Sequence, residues 1–246
     1  MSARSIVVFD LGGVLVDWNP RYLYRKLFGS NDVAMEHFLA NVCTARWNSQ
    51  QDAGRSFAEG CALLKSEYPN HAELIDAWFE RHEEMIAGPI SGTVEILAEL
   101  RADEIPLYAL SNWSAETFPT ARRRFDFLQW FRGILLSGEV RLIKPDPRIF
   151  QLFVETFSID PGRAVYIDDL LPNVEAARAI GMKAIWFKDP VGLRNELMEL
   201  GLLDSRTNID LCDVNSVDTD SCDGDSGDID PGDRVTPIRS SPEVSR

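Results

Sequence analysis

The sequence lacks several things that would place it quickly. It has no unbroken apolar run of eighteen residues, so no transmembrane helix is expected. Its first residues, Met1 to Ser5, lead straight into an apolar stretch and have no signal-peptide layout. Only four cysteines occur, Cys43, Cys61, Cys212 and Cys222, with neither metal-ligand spacing nor a disulfide framework. They read as thiols of a reducing cytoplasm. Positive charge is also scarce. Against 39 Asp and Glu there are 25 Lys and Arg, a net charge of -14. Such a chain is a poor general binder of nucleic acid or of an anionic membrane, and neither is expected as a partner. An anionic small molecule would need local positive charge from a lysine or a metal ion.

What is present is enough for a sizeable core, since 45% of the 246 residues are hydrophobic. The chain opens on Ile6-Val7-Val8-Phe9, a short apolar run that reads as a strand buried on both faces. It ends in Asp10, followed by Leu11-Gly12-Gly13. In open α/β sheets ligands bind at the carboxyl ends of the strands, which is where this places Asp10.

From Arg21 to Ala87 helical periodicity takes over, with no good strand. Asn31 or Asp32 caps a helix through Val42, Ser56 and Glu59 form a capping box for 56–67, and Asn70 caps a long helix over 71–87, ended by Gly88-Pro89. Strands and helices then alternate. Helices are expected over 93–101, 115–124, 147 onward, 172–180 and 191–200, and strands over 106–110, 133–137, 164–167 and 183–187. The expected fold is a doubly wound parallel α/β sheet, residues 1–17 and 89–203, interrupted by an all-helical cap, residues 18–88. From residue 204 the chain carries eleven acids and four basic residues with almost no apolar periodicity, and reads as an acidic, disordered tail. Its aspartates lack the spacing of a calcium loop.

Four polar groups fall at or near strand ends: Asp10, Ser111-Asn112, Lys144 and Asp168-Asp169. Singly each has an ordinary reading as a cap, a turn or a solvated charge. Together their types form a chemistry. Asp10 beside Asp169 is a like-charge pair that calls for a cation between them. A hard divalent ion such as Mg²⁺ prefers oxygen ligands, and the Gly12 carbonyl could add one. Lys144 offers a compact positive charge, and the Ser111 hydroxyl and Asn112 amide are neutral partners suited to a phosphate.

These stretches, Phe9-Asp10-Leu11-Gly12-Gly13-Val14-Leu15, Leu110-Ser111-Asn112, Lys144-Pro145 and Ile167-Asp168-Asp169 through Ala177, resemble the four motifs of the haloacid dehalogenase (HAD) superfamily, subfamily I. The resemblance spans about residues 5–200 and implies a HAD-like Rossmannoid core with a helical cap. It also implies a phosphate-ester hydrolase working through an aspartyl-phosphate. Asp10 would be the nucleophile and a Mg²⁺ ligand, the Gly12 carbonyl and Asp169 further ligands, and Asp168 an orienter or outer-shell member of the metal set. Ser111 and Asn112 would hold the phosphoryl oxygens, and Lys144 would neutralise them and Asp10.

Most phosphatases of the superfamily carry a second aspartate, a general acid, two residues after the nucleophile. Here that position is Gly12. General acid help is worth about two to four orders of magnitude. Its loss suits a good leaving group, such as the anomeric hydroxyl of a sugar 1-phosphate, or a donor from elsewhere, Asp17 or Asp52. The Asp-Leu-Gly pattern resembles glucose-1-phosphate phosphatase-like members, and the chain as a whole is also similar to the epoxide hydrolase N-terminal phosphatase-like ones. A dehalogenase-type reaction with the same nucleophile, or non-catalytic binding of a phospho-ligand, are the alternatives. Trp47 and Asn48 are expected in an inter-helix loop facing the substrate, while Trp18 and Trp113 flank the first two motifs. Each tryptophan also has a core-packing reading. The expected partner is a small phosphorylated substrate, and a homodimer is compatible with the sequence.

Overall fold

The computed structural model describes residues 5–29 and 31–204. The acidic tail expected from 204 onward, with its rejected calcium reading, therefore lies outside the described residues apart from Asp204.

The chain runs β1 (Ile6–Phe9), β2 (Val16–Trp18), α1 (Arg21–Phe28), α2 (Asp32–Asn41), α3 (Ala45–Asp52), α4 (Phe57–Glu67) and α5 (Ala72–Glu80). It continues with β3 (Ile86–Pro89), α6 (Ser91–Ala102), β4 (Leu107–Ser111), α7 (Phe118–Arg124), β5 (Gly133–Leu136) and the short α8 (Ser137–Val140). The last described elements are α9 (Pro147–Phe157), β6 (Ala164–Asp168), α10 (Leu171–Ala179), β7 (Lys183–Trp186) and α11 (Pro190–Glu199).

Five strands form a parallel sheet in the order β5-β4-β1-β6-β7. Strand alternation sends Val7 and Phe9 into one apolar layer, with Leu97, Leu100 and Leu197. Val8 goes to the other, with Phe150, Phe153 and Tyr166. Both faces are buried, which is why β1 reads as a continuous hydrophobic run. Chain order reverses around β1, so the carboxyl ends of β1, β4 and β6 open side by side. The register aligns Phe9 with Ala109 on one side and Ile167 on the other. Asp10 is thereby set beside Asp168, and its N–H donates to the Ile167 carbonyl at 2.8 Å.

Helices α1 to α5 enclose their own apolar cluster around Tyr24, Phe38, Trp47, Phe57, Ile75 and Trp78. Caps set their starts. Asn31 accepts from the Ala34 N–H, Thr44 from Trp47 and Ser56 from Glu59. The expected helix over 71–87 is broken. It ends at Glu80, a 3-10 turn covers His82–Met85, and Ile86–Pro89 pairs antiparallel with Val16–Trp18. Met85 and Ile86 are buried either way, so their spacing alone does not distinguish helix from strand, and pairing with β2 decides it. The expected boundaries near 17/18 and 88/89 both fall inside this two-stranded ribbon. Trp18 packs against both the sheet's core and the helical cluster. Among the described residues no helix is long and apolar enough to cross a membrane.

Candidate active site

Lys144 organises the floor of the site. Its side chain is almost wholly buried, and its ammonium donates to Asp10 Oδ1 at 2.9 Å, Asp168 Oδ2 at 2.7 Å and the Leu110 carbonyl at 2.9 Å. Those are the three donors a lysine has. All three N–H groups thus have partners within the protein, and the ammonium lies against Asp10, whose charge Lys144 is expected to neutralise.

The Asn112 side chain is likewise engaged within the protein. Its Oδ1 accepts from the Lys144 backbone N–H at 2.8 Å and its Nδ2 donates to the Lys144 carbonyl at 3.0 Å. The amide expected to hold a phosphoryl oxygen instead clasps the lysine loop to the end of β4. Ser111, the last residue of β4, is buried beside it.

Asp168 is saturated as well. Oδ1 accepts from the Leu170 N–H at 2.8 Å and the Asn173 amide at 3.0 Å, and Oδ2 accepts from Lys144, the Tyr166 hydroxyl and Asn173. These bonds orient Asp168 toward Lys144, and its carboxylate also belongs to the three-acid group that could hold a metal ion. Tyr166 is a site residue the sequence reading missed. The signal was its place two residues before Asp168 on one strand, hence on the same face.

Asp10 Oδ1 also accepts from the Leu11 N–H at 2.7 Å, which fixes the carboxylate in the turn after β1. Carboxylate oxygens of Asp10, Asp168 and Asp169 lie within 4.8 Å of one another. Gly13, at φ 75°, makes room for this approach, since a Cβ there would meet Asp169 Oδ2 at 2.5 Å. Burial pushes the Asp10 carboxyl up to about 7; Lys144 opposes this, while Asp168 and Asp169 add to it. Burial and Asp168 also raise Asp169. For Asp168 burial works upward, but the charge of Lys144 and the hydrogen bonds outweigh it and hold the group ionised. Burial works against the charge of Lys144, and Asp10 and Asp168 outweigh it.

Two acids thus pair with one ammonium and a third, the partly buried Asp169, lies beside them, an excess of negative charge. Oxygen donors at this spacing suit a hard divalent cation, which would relieve that excess. The donor set fits Mg²⁺, with Asp10 and Asp169 as side-chain ligands.

Above this floor is a cavity of about 80 Å³ lined by Gly12, Trp18, Asn48, Asp52, Phe57, His82, Asn112, Trp113 and Thr117. Trp47 is absent from it. The expected inter-helix loop is helix α3, begun by the Thr44 cap, and that helix turns Trp47 into the helical cluster. There Trp47 packs edge-on against Trp78, and its indole N–H donates to the Gly60 carbonyl. Its expected substrate contact is corrected to core packing. Asn48, one residue on, does face the cavity. Asp17 accepts both bonds from the Tyr22 hydroxyl, at 2.9 and 3.0 Å, and is not among the cavity's lining residues. His82 lies in the cavity wall with both ring nitrogens buried and without a well-formed hydrogen bond. Burial lowers it to about 4, so the ring is neutral.

A Rossmann-like sheet with a lysine-bound carboxylate at its switch point defines the class: an α/β enzyme that works with carboxylate chemistry. Residues 5–181 match the family model of haloacid dehalogenase-like hydrolases, so the chain belongs to that family and is a hydrolase. It is 25% identical over 194 residues to a sesquiterpene phosphatase of Aspergillus oryzae, covering 78% of this chain and 94% of that protein. It is 23% identical over 182 residues to a phosphorylated carbohydrates phosphatase of Thermotoga maritima, covering 73% and 83%. Its fold is shared with a HAD family enzyme from Bacteroides thetaiotaomicron, solved with magnesium and inorganic phosphate. The TM-score is 0.59 at 24% identity, covering 76% of this chain and 96% of that one.

Proposed function

We propose that this chain is a Mg²⁺-dependent phosphatase that hydrolyses a small phosphorylated metabolite, with a sugar phosphate as the favoured class, in the cytoplasm. The observation that carries this reading is the charge imbalance around Asp10. A cluster of two buried carboxylates, a partly buried third and one lysine has a use for both a divalent cation and an anionic substrate. The phosphatase names of the relatives from Aspergillus oryzae and Thermotoga maritima support it. Helices α1–α5 act as a cap over the strand ends, within the expected 18–88 segment.

Asp10, Asp169 and the Gly12 carbonyl would hold Mg²⁺, which when bound supplies positive charge against the phosphoryl oxygens. The protein's own residues do the rest. Lys144 and the Leu11 N–H both bind Asp10 Oδ1, which leaves Oδ2 to be presented for attack. Asp10 Oδ2 bonds to phosphorus as the ester P–O bond breaks, and the leaving oxygen takes a proton. Water then attacks phosphorus, phosphate departs and the Asp10 carboxylate returns. The Ser111 hydroxyl donates to a phosphoryl oxygen. Lys144 balances the charge of Asp10 throughout, and Asp168, Tyr166 and Asn173 keep Lys144 in place. The aromatic faces of Trp18, Phe57 and Trp113, interleaved with Asn48 and Thr117, suit a ring bearing hydroxyl groups.

The test is turnover of 4-nitrophenyl phosphate with Mg²⁺ or with EDTA, in the wild type and in Asp10→Asn. Metal-dependent turnover that falls at least about 10³-fold in Asp10→Asn is the expected result. Halide release from a 2-haloacid without metal would instead assign the same Asp10 to displacement at carbon. Binding of phosphate esters with no turnover would make the chain a phospho-ligand receptor.

A further inference from the structure

The cavity that Gly12 lines also carries a carboxylate, that of Asp52. Asp52 is the last residue of α3 and shares the cavity wall with Gly12, Trp113 and His82. It is acted on from both sides. On its own helix, the Asn48 amide donates to Asp52 Oδ2 at 3.0 Å, and Asn48 Oδ1 is itself fixed by the Trp78 indole N–H at 3.1 Å. From the sheet side, the Ser114 backbone favours the ionised form of the same carboxyl. The loop after α3 rests on the core. Gly54, at φ 91°, brings its backbone so close that a Cβ would meet the Gly138 carbonyl at 3.0 Å and Arg141 Cγ at 2.8 Å.

This is an unfavourable place for an ionised group. The C-terminal end of a helix disfavours negative charge, and three aromatic rings line the same wall. Burial pushes the Asp52 carboxyl up to about 7, with only the Ser114 backbone opposing it. A group near that value gives and takes protons near neutral pH. The space at Gly12 is open. A Cβ added at Gly12 would meet no heavy atom within 4 Å, and its backbone has no positive φ to strain a side chain.

We propose, on the footing of the phosphatase reading above, that Asp52 is the general acid and base of this enzyme, supplied by the cap in place of a residue at position 12. Protonated Asp52 gives its proton to the ester oxygen as that oxygen's bond to phosphorus breaks and the Asp10 Oδ2–phosphorus bond forms. The resulting carboxylate takes a proton from the water that attacks phosphorus, and the Asp10–phosphorus bond breaks. The cycle returns both aspartates to their starting states. Asn48 and Trp78 are positioning residues for it. The arrangement ties proton delivery to seating of the cap, because the loop after α3, next to Asp52, rests on the core at Gly138.

The test compares kcat/KM for phenyl phosphate and 4-nitrophenyl phosphate, with Mg²⁺, in wild type, Asp52→Asn and Asp52→Asn/Gly12→Asp. Phenolate is the poorer leaving group and needs the acid more. Asp52→Asn is expected to lower the ratio of phenyl to 4-nitrophenyl turnover by at least about tenfold, and the double variant to recover it. Asp52→Ala, which leaves no buried carboxyl to accommodate, is expected to show the same lowered ratio and guards against misfolding of the first variant. An unchanged ratio in both single variants, with wild-type turnover that depends on Asp10, overturns the role of Asp52 and leaves the phosphatase reading standing. Absence of any metal-dependent, Asp10-dependent turnover in the wild type overturns the phosphatase reading and Asp52 with it.

Discussion

The floor and the roof of the site are built on opposite principles. On the floor, Lys144 has spent all its donors and Asp168 accepts from four residues, so each group is over-determined. On the roof, Asp52 is held by one side-chain amide, and the His82 ring nitrogens lack a well-formed hydrogen bond. A saturated network fixes geometry. A sparsely satisfied one leaves capacity for a ligand and for proton exchange. The difference teaches where to look for substrate choice in this chain, namely in the cap wall rather than at the strand ends.

Breaking the floor has the largest expected effect. Lys144→Met leaves Asp10 and Asp168 buried without their cation, which costs about 3–5 kcal/mol of stability. Denaturant unfolding should report it, and turnover should fall with it. A Lys144→Met protein of wild-type stability would contradict the central place given to that ammonium.

Disturbing the seating of the roof is next. Gly54→Val puts a branched side chain at φ 91° against Gly138 and Arg141, at a cost of about 1–3 kcal/mol. The phenyl to 4-nitrophenyl phosphate ratio should fall as it does for Asp52→Asn, because the loop carrying Asp52 is displaced. Equal losses on both substrates would show that the loop's seat on the core does not govern proton delivery.

The smallest effect concerns pH. In the unfolded chain Asp52 ionises from its ordinary value of 3.8, while in the fold burial holds the proton up to about 7. Between those values the folded state binds the extra proton, so the stability contributed by this group declines as pH rises through that window. Asp52→Asn removes the decline. The full shift would carry about 4 kcal/mol. Asp52 is only partly buried, and solvent screening cuts the expected gain of the variant on wild type, at pH 8 relative to pH 4, to about 1–2 kcal/mol, read from thermal or denaturant unfolding. A gain in the opposite direction would mean that Asp52 is stabilised as an anion.

The same contrast marks what the sequence shows and what it hides. The sheet and its strand-end residues are legible because β1, β4 and β6 are short apolar runs ending in polar groups, and parallel pairing brings such ends together without further information. Asp10, Ser111 and Asp168 follow from that, while Lys144, on the loop between α8 and α9, is marked by the Lys144-Pro145 motif. Their hydrogen-bond partners do not, since the division of labour between Asp168 and Asp169, or the capture of the Asn112 amide by Lys144, depends on loop paths. The cap hides more. α3 has little apolar periodicity, so its start at Thr44 and the inward turn of Trp47 are set by a cap and by tertiary packing. The strand Ile86–Pro89 exists because Val16–Trp18 is there to pair with it. Asp52 could be named as a possible donor beside Asp17, but only the fold sets one in the cavity and the other against the Tyr22 hydroxyl.

The central claim, that Asp10 attacks phosphorus, is tested most directly by catching it in the act. Enzyme turning over 4-nitrophenyl phosphate with Mg²⁺ is quenched in acid, digested and mapped by mass spectrometry. A phosphoryl group on the peptide bearing Asp10, absent from Asp10→Asn and from unreacted protein, is the predicted result. Steady turnover with no phosphoryl group on that peptide at any quench time would contradict the account.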